Sequence, residues 1–131
     1  MSELKKKKIL LYYFSSTEFL SHKEHALQKI KETLDVFISS KDNISVIWYH
    51  DPFLDDYLRS EIPELFEEYL NLEKIFKNSG CGIYVNDSSL ENSLVTECDA
   101  YYGSGGYLAT CCADAKKPVM IHDISARFAQ Y

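Results

Sequence analysis

The feature that most restricts what this chain can fold into is an alternation: short, nearly continuous apolar runs are separated by longer segments of helical period. The runs fall at residues 9–14, 44–49, 82–85, 98–102 and 118–121. A run that is apolar at every position suits a strand covered on both faces, which is the condition of a parallel sheet. Parallel strands in turn need crossover segments, and helices are the usual ones. Between the first two runs, Leu27, Ile30, Leu34, Phe37 and Ile38 lie on one stripe of a helix expected to run from Ser15 to about Ser39, with Ser15 and Glu18 spaced as a capping box. Residues 50–62 read as a long loop or short helix. Leu65, Tyr69, Leu72 and Phe76 then mark an amphipathic helix over 64–78, which Ser79-Gly80 stops. Ser88 and Glu91 are spaced as a second capping box, and a helix over 107–115 follows the turn Gly103-Ser104-Gly105-Gly106. The tail, 123–131, reads as a last helical turn or two.

Five strands joined by right-handed helical crossovers predict a Rossmann-like three-layer α/β/α domain with an open, about five-stranded parallel sheet. At 131 residues the whole chain, 1–131, fits one such domain, able to bury roughly two-thirds of its unfolded surface without metals or disulfides. The formal net charge of -6 argues against a general nucleic-acid binder, which needs a basic face. Lys5 to Lys8 is the one dense cationic cluster, and it reads as the solvated entrance to the first strand. The apolar stretch behind it is too short for a signal peptide, and no stretch approaches the roughly 20 apolar residues of a membrane span, so the expected location is cytoplasmic. Cys81, Cys98, Cys111 and Cys112 lack paired metal-site spacing and read as free, mostly buried thiols.

In an open parallel sheet, ligands bind outside the carboxyl ends of the strands, so the candidate residues are those that follow each run. Gly103, Ser104, Gly105, Gly106 and Tyr107 stand between a strand and a helix. Glycines there let backbone approach a ligand, and the helix start offers unpaired N–H groups to a phosphate. Ser15, Ser16 and Thr17 hold the equivalent place after the first strand, as helix caps or as phosphate contacts. Asn86, Asp87, Ser88 and Ser89 follow the third strand and can cap a helix or bond a ribose or base. His50 with Asp51 follows the second strand, where a histidine can meet phosphate or act as acid or base. His122 with Asp123 follows the fifth. His22 and His25, on the outer part of the first helix, carry no assignment.

Several stretches then resemble a known family. Val46-Ile47-Trp48-Tyr49-His50-Asp51-Pro52, Pro63-Glu64-Leu65 with Tyr69, Gly82-Ile83-Tyr84, Asp99-Ala100-Tyr101-Tyr102-Gly103 and Lys117-Pro118-Val119-Met120-Ile121 look like the C-terminal half of bacterial proteins related to CDP-glycerol glycerophosphotransferases. The likeness covers about Lys8 to Ile121. It implies the Rossmann-like half of a GT-B fold, the half that holds an activated nucleotide donor. The family's Trp-Arg-Pro-His-Pro is Trp48-Tyr49-His50-Asp51-Pro52 here, and its hydroxyl-bearing phosphate turn is Gly103-Ser104-Gly105-Gly106-Tyr107. A weaker likeness, to nucleoside deoxyribosyltransferases, rests on Cys98-Asp99-Ala100, the Gly/Ser turn and Lys117-Pro118-Val119. Those enzymes use a Glu nucleophile on the helix after the turn, and residues 107–115 contain none.

Together these readings lead to the expectation of a domain that binds a nucleotide or nucleotide-linked phosphate, needs no cofactor or metal, and is not a competent transferase alone. The alternative is a small transferase or deoxyribosyltransferase-like enzyme completed by a second subunit, with His50 as general base or phosphate ligand. An apolar surface near the strand carboxyl ends is expected to form a homodimer or to bind a separate protein partner.

Overall fold

A computed structural model describes residues 7–122. Its elements, in chain order, are β1 (Lys8–Tyr13), α1 (Ser16–His22), α2 (Glu24–Ser39), β2 (Ile44–Tyr49), α3 (Phe53–Glu61), α4 (Pro63–Ser79), β3 (Gly82–Val85), α5 (Glu91–Glu97), β4 (Ala100–Gly103), α6 (Tyr107–Asp114) and β5 (Val119–Ile121), with one 3-10 turn, Ser88–Leu90, before α5. The strands form one parallel sheet in the order β3-β2-β1-β4-β5. The Rossmann-like reading is therefore the observed architecture. The tail, 123–131, lies outside the described residues.

Period-two alternation along the strands divides the interior into two cores. Tyr12 and Trp48 point to one face, where Ile30, Leu34 and Phe37 of α2 and Tyr69, Leu72 and Phe76 of α4 cover them. Leu11, Ile47 and Tyr101 point to the other, against Leu94 of α5 and Leu108 and Cys112 of α6. At roughly 1.5 to 3 kcal/mol per buried large side chain, both faces contribute to holding β1 and β2. Chain order explains the arrangement: β1, β2 and β3 step in one direction, then α5 carries the chain back past β1 to β4. The order reverses between β1 and β4, and the ends of these two strands flank the crevice in which such sheets bind ligands.

Two local expectations change, and one open alternative resolves. The first helix is two helices, because Lys23 adopts a positive φ of 50° between α1 and α2. Of the loop or short helix expected over 50–62, the helix forms, as α3. The Ser88/Glu91 box does not form: Asp87 caps the 3-10 turn through Ser89 N–H, and the Glu91 carboxylate instead accepts from the Tyr49 hydroxyl at 2.5 Å. At the far end of α5, Lys117 Nζ donates to the carbonyls of Val95, Thr96 and Cys98 at 2.5 to 2.7 Å, a cation on the negative end of the helix. Among the described residues no helix is long and apolar enough to cross a membrane.

Candidate functional site

The crevice between β1 and β4 is built by backbone contact at the strand ends. Ser104 N–H donates to Tyr13 O at 2.8 Å, and Ser15 N–H donates to Ser104 Oγ at 2.9 Å. Gly103 sits at φ 145°, and a Cβ there would lie 2.0 Å from Tyr13 O. Only glycine lets the two strands meet this closely. Ser104 is only 2% exposed. Its hydroxyl donates to Glu18 Oε1 at 2.5 Å, and His122 Nε2 lies 2.6 Å from the same oxygen. His122 is held in turn by its own N–H on Gly103 O at 2.9 Å. Glu18, reached from the first turn of α1, thus joins β1's helix to the ends of β4 and β5. Ser104, His122 and Glu18 do not form an acyl-transfer triad: one imidazole nitrogen faces both partners, and among the described residues Nδ1 is buried without a partner.

A second carboxylate fixes the start of α1. Asp51 accepts from Ser16 N–H at 3.0 Å, Ser16 Oγ at 2.8 Å and the Tyr13 hydroxyl at 2.9 Å. Ser16 is buried, and both its donors are engaged with Asp51, in the position an anion would take at this helix end. Ser15 accepts from Glu18 N–H at 3.1 Å, so the cap expected of it is made, but Glu18 returns no bond and turns to Ser104 and His122. Ser15 is half-buried and Thr17 exposed. With Glu18, Ser21, His22, Ser104 and Gly105 they line an open depression of about 450 Å³.

The start of α6 is different. Gly106, at φ 131°, is its cap residue, and among the described residues no side chain caps the helix; Gly105, Gly106 and Tyr107 are all exposed. Asn86, Asp87 and Ser88 are exposed too, but at the edge strand β3. The width of β2 separates them from β1, which puts them roughly 10 Å from the crevice at about 4.8 Å per strand. Asp87 is committed to Ser89, whose hydroxyl and N–H hold its carboxyl below the usual range.

His50 is placed elsewhere than the sequence suggests. It has no exposed surface and points away from the crevice into a polar cluster under α3 and α4. Its Nε2 is 3.4 Å from Asp55 Oδ1, and the Tyr84 hydroxyl contacts its Nδ1 while donating to Glu73 Oε2 at 2.6 Å. Burial, reinforced by Asp55 and opposed by Lys77, pushes the Glu73 carboxyl up to about 7. Among the described residues, His50, Asp55 and Glu73 are also the group of three ligand-type side chains whose donor atoms converge.

His122 and Asp51 were candidates by their places after strands; what the sequence did not reveal is that Glu18 joins Ser104 and His122 in the crevice, that Asp51 anchors α1, and that Glu73 and Tyr84 lie beside His50. Glu73 had one available signal, since it falls beside Tyr69, Leu72 and Phe76 on the buried side of α4. In class, the molecule is an α/β protein with an open parallel sheet and a polar crevice at its switch point. No family model, curated protein or solved structure matches the chain.

Proposed function

We propose that the β1–β4 crevice binds a nucleotide or a nucleotide-linked phosphate. The observation that carries this reading is the uncapped start of α6: a helix that begins at exposed Gly105-Gly106, beside an open depression at the switch point, presents free N–H groups and the positive end of its dipole. Phosphate belongs on that turn. Glu18, Ser15 and Thr17 across the depression are acceptors and donors suited to sugar hydroxyls, while the start of α1 is closed to phosphate by Asp51. The resemblance to the donor-holding half of a GT-B enzyme suggests the same ligand class. Exposed Phe53, Leu90 and Tyr107, each just past a strand end, suit a second copy or another protein closing over the crevice.

A second reading has one observation in its favour. The Glu18 carboxylate borders the depression and offers a nucleophile for glycosyl transfer, although α6 itself bears no Glu.

A thermal-shift panel of nucleotides, nucleotide sugars and CDP-alcohols tests the binding claim. A ligand at about 100 times its Kd stabilises the native state by roughly 2.7 kcal/mol. Calorimetry on Gly106→Asp against Gly106→Asn then locates the phosphate, because both variants share the backbone strain and only one adds charge. At an effective dielectric near 20, a carboxylate about 4 Å from the phosphate repels it by roughly 4 kcal/mol, nearly a thousandfold in affinity. Equal affinity of the two variants removes the phosphate from this turn. Consumption of the ligand, abolished by Glu18→Gln, establishes the enzymatic reading instead.

A further inference from the structure

We infer that His50, Asp55 and Glu73 form a site for a divalent first-row transition ion, independent of the crevice. Three elements supply the ligands: His50 directly follows β2, Asp55 lies in the first turn of α3, and Glu73 lies on the buried face of α4. Their donor atoms all fall within 4.8 Å of one another. The His50 Nε2 to Asp55 Oδ1 separation is 3.4 Å. Two ligands of a tetrahedral ion with bonds of about 2.0 to 2.1 Å stand roughly 3.3 Å apart, so this edge is already set.

The charge balance calls for a cation. Two carboxylates are set beside one imidazole that packs on Tyr69 and Tyr84, and Lys77, largely exposed, reaches only to 3.9 Å of Glu73 Oε1. A buried carboxylate without enough positive partners is costly, and a divalent ion neutralises both. Independently of charge, Asp55 Oδ1 is buried and among the described residues has no hydrogen-bond donor, an acceptor left open in the cluster. Tyr84 supplies outer support of the kind common at such sites: its hydroxyl contacts both ring nitrogens of His50, Nε2 at 3.1 Å, and donates to Glu73 Oε2, holding the imidazole and the carboxylate in one cluster. The side chain of Asp55, 21% exposed, is the way in. One nitrogen and two or three oxygens, with no sulfur, suit Zn2+, Mn2+, Fe2+ or Co2+, and are too few for Ca2+.

The test uses the full chain stripped with EDTA and titrated with Co2+, then Zn2+. One Co2+ per chain is expected, with the visible band of a four- or five-coordinate ion that Zn2+ abolishes. Asp55→Asn and Glu73→Gln should each weaken binding by tenfold or more, His25→Gln should leave it unchanged, and so should Gly106→Asp, which perturbs only the crevice. On the unmodified chain, Zn2+ should move the His50 imidazole 15N resonances. Stoichiometry below one, affinity indifferent to both carboxamide variants, or shifts confined to His22 and His25 would each overturn the site. If both variants unfold, the His50 resonance decides alone.

Discussion

Replacing Gly103 by alanine tests the crevice at its narrowest point. The new Cβ would stand 2.0 Å from Tyr13 O, 2.9 Å from its carbon and 3.0 Å from its nitrogen, all backbone atoms that cannot swing aside. Relief requires the ends of β1 and β4 to part by about 1 Å, which sacrifices the Ser104 N–H bond to Tyr13 O and strains that of His122 N–H to Gly103 O. Two such bonds contribute about 1 kcal/mol each, and a non-glycine residue at φ 145° adds about 1 to 3 kcal/mol of backbone strain. The expected loss is about 3 to 5 kcal/mol, a large part of the stability of a domain this size. Gly106→Ala is the matched control: its φ of 131° carries a similar strain, but a Cβ there meets nothing within 4 Å. Urea denaturation followed by circular dichroism should therefore place Gly103→Ala about 2 kcal/mol below Gly106→Ala. A gap under about 1 kcal/mol would refute the close strand contact from which the crevice geometry is argued.

Because the Glu73 carboxyl is raised from 4.5 to about 7 in the folded protein, its protonated form favours folding: that contribution is complete below the unfolded value and is lost as pH rises through 7. In metal-free protein this group should contribute a fall of about 1 to 2 kcal/mol between acid and neutral pH, after discounting for solvent screening, and Glu73→Gln should remove that part of the profile; an unchanged slope in that variant refutes the assignment. Burial and the neighbouring Cys98 push the Cys112 thiol up to about 12, whereas Cys111 is half-exposed, so Ellman's reagent at pH 8 should find one fast thiol that Cys111→Ser abolishes. Persistence of the fast phase in that variant would count against the α6 packing. If assembly occurs over the strand ends, Phe53→Ser with Tyr107→Ser should convert a light-scattering dimer to monomer; a dimer that survives both places the interface elsewhere.

The sheet was legible because its cause is local: five apolar runs and the helical stripes between them are properties of neighbouring residues. The break at Lys23 was not, since no Gly or Pro announces a positive φ there. Spacing made Glu18 a capping residue, and Ser15 does cap Glu18 N–H, but the carboxylate is drawn to Ser104 and His122, which lie 86 and 104 residues further on. Glu91 is lost to its box in the same way, through Tyr49. His50 shows the limit on function: its place after β2 was correctly read, but which side of the sheet end it faces depends on α3 and α4 packing over it.

The position of β1 has a consequence for how the protein is made. Its pairing with β2 joins residues about 36 positions apart, while its pairing with β4 joins residues about 90 apart. A growing chain can complete β1, β2 and β3 with their helices long before β4 exists, and until then one side of β1 is an unpaired edge, open to other chains. Closing that edge is the slow, non-local step. Ser104 arrives with β4 and His122 only with β5, so the protection of β1 from aggregation precedes the completion of the crevice by one strand.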